Sequence, residues 1–182
     1  MLHIKKEELQ TNAWGGGTTT QLFIYPKESS YKNLDFIFRI STATIEVEQS
    51  TFTTLPNVNR TLMILNGEMT IQHKNKYSKQ LKKFDVDTFR GDWETTSIGK
   101  VTDFNVMTRG SAVGSAQGFS MNKNEQKEIS IDTDFIFLYV SLGKIEVTNI
   151  VANQGDVLIF EKENFSIRSL SSSDIALATI KL

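Results

Sequence analysis

Apolar and polar positions alternate in short runs along this chain. Apolar and β-branched stretches recur between glycine, proline and asparagine, and almost none keeps helical spacing over eleven or more positions. Residues 20–25 read as a strand stopped by Pro26, and residues 36–47 as a longer one. Further strands are expected at 51–53, 60–65, 69–72, 81–84, 88–89 and 102–108, then at 135–140, 145–147, 157–160, 165–168 and 175–180. Asn66-Gly67 predicts a two-residue hairpin with 69–72 as its return strand. Short strands with turns at this spacing predict an all-β sandwich, barrel or jelly roll. The second half loosely repeats the first: Leu62, Gly67, Ile71 and Gly91-Asp92 stand beside Leu138, Gly143, Val147 and Gly155-Asp156. Two related β-barrel halves are therefore expected, joined by the glycine- and serine-rich stretch 110–128.

Alternation also assigns faces. Arg39, Ser41, Ala43 and Ile45 share one face, and Phe38, Ile40, Thr42 and Thr44 the other. Asp103, Asn105, Met107 and Arg109 stand together against Phe104 and Val106. Arg39 and Arg60 lie inside apolar runs. If they point inward they must meet an anion, because an unpaired buried charge is costly. This reading pairs Asp103 with Arg39 and leaves Arg60 as the freer cation.

Composition narrows the function. The 182 residues carry 20 basic and 21 acidic side chains, a net charge of −1, so no field of one sign points to nucleic acid or to an acidic membrane surface. Cysteine is absent, which excludes disulfides and thiolate chemistry and fits a reducing compartment. The first ten residues lack the apolar core of a secretion signal, and no stretch reaches the roughly 18 apolar residues of a spanning helix. A cytoplasmic protein is expected. His3 and His73 stand alone, so one chain cannot build a three-histidine metal site. His73, followed by Lys74-Asn75-Lys76, reads as a solvated hairpin end. Trp14 precedes three glycines and three threonines; with no Lys-Ser/Thr following, this is no phosphate loop, and Trp14 either lines a pocket mouth or packs in a core.

The chain resembles the HutD family, also called Ves, over residues 14–109. The resemblance rests on Trp14 with its glycines and Thr19, on Phe38-Arg39-Ile40-Ser41, on the run from Thr51 to Arg60, on Leu65-Asn66-Gly67, on Phe89-Arg90-Gly91-Asp92, and on the run from Thr102 to Arg109. The family usually has two more residues between the tryptophan and the threonine, often an asparagine among them; here the interval is shorter and begins with glycines. It often ends its Asp-Phe-Asn block with consecutive arginines; here Gly110 follows Arg109. The resemblance implies a bicupin of two tandem jelly-roll barrels, residues 1–110 and 111–182, whose first strands cross between barrels. Metal cupins place two histidines and a glutamate ahead of a glycine. Counting back from Gly67, the glutamate position falls on Arg60 and the histidine positions among 53–56, so no metal and no cofactor are expected.

The resemblance further implies a regulatory module, linked to histidine utilisation or stress, that binds a small carboxylate such as formylglutamate. Arg39 and Arg60 suit carboxylates. Ser41, Asn105, Thr19 and the backbone at Gly16 beside Trp14 complete the expected ligand-binding set, with Asp103 orienting an arginine. No catalytic residue, nucleic acid or membrane partner is expected, and an oligomer is left open. The alternative is a metal-independent isomerase or lyase acting on a small acid. It needs an acid–base pair, for which Asp103 or Asp92 with Tyr25 or Tyr139 are the candidates, although no spacing links them.

Overall fold

The structure, a computed structural model, describes residues 1–130 and 132–182. Its strands, in chain order, are β1 (Leu2–Ile4), β2 (Gln10–Trp14), β3 (Gly17–Tyr25), β4 (Phe38–Ile45), β5 (Gln49–Thr51), β6 (Asn59–Gly67), β7 (Met69–His73), β8 (Tyr77–Leu81), β9 (Val86–Arg90), β10 (Thr95–Ile98), β11 (Val101–Thr108), β12 (Val113–Met121), β13 (Gln126–Ile129), β14 (Phe135–Leu142), β15 (Lys144–Val147), β16 (Ile150–Asn153), β17 (Val157–Glu161), β18 (Phe165–Ser169) and β19 (Ser173–Lys181). Among the described residues the one helical piece is a 3₁₀ turn at Lys6–Glu8, and no helix is long and apolar enough to cross a membrane. The fold is all-β.

The chain divides into two compact units, Gln10–Gly114, and Ser115–Leu182 together with Met1–Leu9. In the first, a six-stranded sheet runs β2-β3-β4-β11-β6-β9 and a four-stranded sheet β5-β10-β7-β8. Leu62 and Ile64 from the larger sheet and Met69, Ile71 and Leu81 from the smaller meet in one apolar cluster, so the sheets pack face to face. Each such fully buried side chain contributes roughly 1.5–3 kcal/mol. In the second unit the sheets run β1-β17-β14-β19-β12 and β13-β18-β15-β16. Ile136, Leu138, Leu158 and Leu177 meet Ile145, Val147, Phe165 and Ile167 between them. The two units repeat one topology. The order β9-β6-β11-β4 with β5-β10-β7-β8 becomes β17-β14-β19-β12 with β13-β18-β15-β16 when every strand number is shifted by eight.

Three expectations need correction. Asn66-Gly67 does not make a hairpin: β6 and β7 belong to different sheets, and the chain changes sheet at Gly67. Gly67 has φ +83°, and a Cβ there would lie 2.5 Å from the Lys100 carbonyl oxygen; Gly143, also at φ +83°, makes the matching corner between β14 and β15. The dipeptide encodes a positive φ, and tertiary packing chooses the pairing partner. Second, the supposed connector 110–128 is mostly strand. β12 pairs with β19 at the sheet edge and β13 pairs with β18. Its small residues carry little strand propensity, and the neighbouring strand supplies the ladder instead. The sequence pattern does not mark β8 or β10 as strands: β8 is exposed and mostly polar up to Leu81, and β10 buries the polar Thr95 and Ser97 while exposing Ile98, so neither shows an apolar inner face.

Third, His73 is not solvated. It closes β7 on the inward parity of Met69 and Ile71 and is 1% exposed. Its Nε2 lies 2.8 Å from Asp87 Oδ2 and its Nδ1 2.8 Å from Thr95 Oγ1, while the Tyr77 hydroxyl donates to Asp87 Oδ1 at 3.1 Å. The rings of Tyr77, Phe89 and Trp93 surround it at 4.7, 4.5 and 5.3 Å between centroids.

The β2–β3 hairpin depends on close backbone approach. A Cβ on Gly17 would stand 1.9 Å from the Thr44 carbonyl oxygen of β4. Gly17→Ala should therefore force the strands apart and cost about 1–3 kcal/mol, the range for overpacking. An unchanged urea midpoint would show that the hairpin yields without cost.

Candidate functional site

Three adjacent strands of the first unit present one polar wall. In register, Arg39 of β4 and Arg60 of β6 flank Met107 of β11, and Phe89 of β9 pairs with Arg60. The next inward-facing rows are Ser41, Asn105 and Leu62, then Ala43, Asp103 and Ile64. Neighbouring strands lie about 4.8 Å apart, so the two arginine backbones stand about 10 Å apart across Met107. The opposite parity, Phe38, Ile40 and Phe104, is fully buried.

This wall lines a cavity of about 360 Å³. Arg39, Ser41, Arg60, Asp103, Asn105, Trp14 and Thr19 all reach it, with Tyr31, Ile45, Phe52 and Met107 among the remaining lining residues. Gly16 does not line it. Gly16 is buried beneath Trp14, where a Cβ would lie 2.1 Å from the indole, so its role is to let that ring fold back. Trp14 itself is 43% exposed and stands at the cavity edge.

The hydrogen bonds change the pairing read from the sequence. Arg39 donates through Nε to Gln21 Oε1 at 2.9 Å and through Nη1 to Ser41 Oγ at 3.0 Å, and its guanidinium lies 4.5 Å over the Tyr31 ring. It makes no hydrogen bond to Asp103. The carboxylate instead serves Arg60 through a relay: Arg60 Nη2 donates to Asn105 Oδ1 at 3.0 Å, and Asn105 Nδ2 donates to Asp103 Oδ1 at 2.6 Å. Across the register Asp103 faces Ala43 of β4, four residues and so two inward-facing rows from Arg39, and the amide of Asn105 bridges the gap to Arg60. Arg60 is nonetheless sparsely bonded. Asn105 is its one hydrogen-bond acceptor among the described residues, and its buried Nε has none. The rings of Phe52 and Phe89, at 4.8 and 5.3 Å, hold the guanidinium flat by cation–π contact.

Burial sets the electrostatics. It pushes the Asp103 carboxyl up to about 6, against the opposing pull of Arg60 and of the Asn105 hydrogen bond. Burial lowers both arginines, with Asp103 opposing it at Arg60 and Tyr31 at Arg39. Two guanidinium cations face one carboxylate, so the wall carries net positive charge and prefers an anion. Among the described residues no group of three or more His, Asp or Glu side chains is placed to hold a metal ion. The lining offers a metal one carboxylate beside two cations.

The acid–base candidates do not converge. Asp92 is an exposed turn residue paired with Arg90 at 2.6 Å, Tyr25 stacks on Phe38 outside the cavity lining, and Tyr139 lies on β14 of the other unit. Gln21, Tyr31, Phe52 and Phe89 escaped the reading as site residues. Phe52 and Phe89 sit inside motif runs already noted, whereas nothing in the sequence marks Tyr31 or Gln21.

A search of curated proteins found no match. Among solved structures, a conserved protein of unknown function from Pseudomonas aeruginosa superposes with TM-score 0.81 at 16% identity, covering 100% of this chain and 98% of its own. HutD from Pseudomonas fluorescens gives 0.76 at 16%, covering 99% and 97%. A bacterial pirin from Escherichia coli, solved with nickel(II), gives 0.75 at 15%, covering 98% and 97%. These identities speak for the fold alone, an all-β cupin-like one. The family model for HutD matches residues 6–177, nearly the whole length, and the chain therefore belongs to the HutD family.

Proposed function

We propose that both units are jelly-roll cupin barrels, and that the Gln10–Gly114 barrel binds a small carboxylate metabolite without a metal. The observation that carries this reading is Arg60: a buried guanidinium in a cavity wall, braced by two rings, with one hydrogen-bond acceptor among the described residues. A buried guanidinium short of acceptors is costly, and a ligand carboxylate offsets that cost by accepting from its remaining Nη donors. Arg39, fixed by Gln21 and Ser41, supplies a second anchor, and the cavity suits a molecule of a few carbons. Family membership favours formylglutamate or a related acid of histidine utilisation, and a cytoplasmic regulatory role in that pathway or in stress. A thermal-unfolding screen of formylglutamate, glutarate, succinate, urocanate and divalent metals tests it. A dicarboxylate at 100 times its dissociation constant should add about 2.7 kcal/mol. Stabilisation by a metal alone, with every acid inert, would refute the reading.

The second reading is a metal-independent isomerase or lyase. Asp103 favours it, because a cavity carboxyl titrating at about 6 has the poise of a general acid or base. Turnover of any acid that binds, abolished in Asp103→Asn with binding retained, would establish it.

A further inference from the structure

We propose that the cavity takes up a doubly charged carboxylate together with one proton, and that the proton goes to Asp103. This deepens the carboxylate reading and rests on it. The geometry supplies the reason. Asp103 is 2% exposed and lines the same cavity as both arginines. Its Oδ1 accepts from Asn105, while Oδ2 has no hydrogen-bond partner among the described residues. The other charged or titratable groups facing the cavity are Arg39 on β4, Arg60 on β6 and Tyr31 in the segment before β4. The β2–β3 hairpin contributes Asn12, Ala13, Trp14 and Thr19, and residues 50–53 contribute Ser50, Thr51, Phe52 and Thr53, none of them charged.

The charge count then decides the stoichiometry. Two guanidinium cations and one carboxylate leave a single positive charge. A monoanion neutralises it. A dianion overshoots and sets its second charge beside Asp103 in a desolvated space, where repulsion is weakly screened. Protonating Asp103 restores neutrality and turns its unpartnered oxygen from a competing acceptor into a donor toward the ligand. The ligand-free carboxyl, already raised to about 6 by burial, is close enough to neutral pH for a nearby anion to complete the shift.

The ligand prefers the protonated form, so affinity falls as pH rises above the ligand-free value and levels off above the bound one. Calorimetric titration with glutarate, acetate and sulfate from pH 6.5 to 8.5, in Tris and in HEPES, separates the outcomes through the two buffers' different ionisation heats. Glutarate and sulfate should bind with uptake approaching one proton at pH 8 and lose up to tenfold in affinity per pH unit; acetate should take up clearly less. Sulfate does not titrate in this range, which assigns the proton to the protein. Asp103→Asn preserves the acceptor for Asn105 and should abolish the uptake, flatten the pH dependence and bind glutarate more tightly at pH 8. Dianion binding with no proton uptake, or an Asp103→Asn profile matching the unsubstituted one, overturns the coupling and leaves the carboxylate reading standing. Failure of all three anions to bind at pH 6.5 overturns that reading and the coupling with it. If Asp103→Asn does not fold, the buffer dependence of the unsubstituted protein decides alone.

Discussion

Replacing Arg60 with methionine is expected to weaken carboxylate binding by roughly ten- to a hundredfold, the effect of losing a charged hydrogen bond. Methionine keeps most of the bulk between Phe52 and Phe89 and removes every donor. Stability should change much less than binding, and in either direction. The substitution deletes one hydrogen bond to Asn105 and two cation–π contacts, but it also deletes a desolvated charge and a buried Nε with no acceptor. The change leaves Asp103 without the cation that opposes its burial, so its carboxyl should titrate higher still. Titration calorimetry with glutarate at pH 7, beside a urea melt, measures both quantities. Equal affinity in Arg60→Met and the unsubstituted protein would remove Arg60 from the binding set. A melt that collapses along with binding would make the residue structural.

His73→Ala is expected to cost about 3–5 kcal/mol of stability, the range for emptying a buried aromatic-sized site, with the hydrogen-bond partners it leaves unmatched adding to the loss. The imidazole fills space among Tyr77, Phe89 and Trp93, and its removal leaves the 4%-exposed Asp87 with the Tyr77 hydroxyl at 3.1 Å and Lys79 at 3.8 Å. Phe89 is the shared element, since its ring contacts both His73 and the Arg60 guanidinium. Loss of His73 should therefore loosen the platform under Arg60 as well and weaken glutarate binding in whatever protein remains folded. A urea midpoint shift equivalent to less than 1 kcal/mol would mean that the ring is dispensable packing.

The sequence made the strand face legible because alternation is local. Arg39, Ser41, Ala43 and Ile45 lie two residues apart, and a pleated strand sends such positions to one side whatever surrounds it. The same holds for Asp103, Asn105 and Met107. All seven line one cavity. His73 shows where local reasoning stops. Its polar followers Lys74, Asn75 and Lys76 do form the exposed tip between β7 and β8, but the last strand residue keeps inward parity, and Asp87 arrives from a different strand to meet it. Asn66-Gly67 shows the same division: glycine met the demand for a positive φ, while the choice between a hairpin and a change of sheet lay with the packing of two sheets.

Strand alternation, the twofold recurrence of its punctuation, the absence of thiolate chemistry and the shared faces of Arg39 with Ser41 and of Asp103 with Asn105 all belong to the sequence by itself, because each depends on covalent order and on side-chain type; that both arginines face inward is a result of the tertiary structure. Tertiary structure decided which arginine the carboxylate serves. Cross-strand register sets Asn105 between Asp103 and Arg60, and it sets Gln21 and Ser41 around Arg39. It also decided that β12 is a sheet edge rather than a connector, because a strand of small residues is held by the ladder its neighbour offers. Finally it placed Asp103 deep enough for burial to carry its carboxyl to about 6, a value that depends on the water excluded by all the surrounding strands.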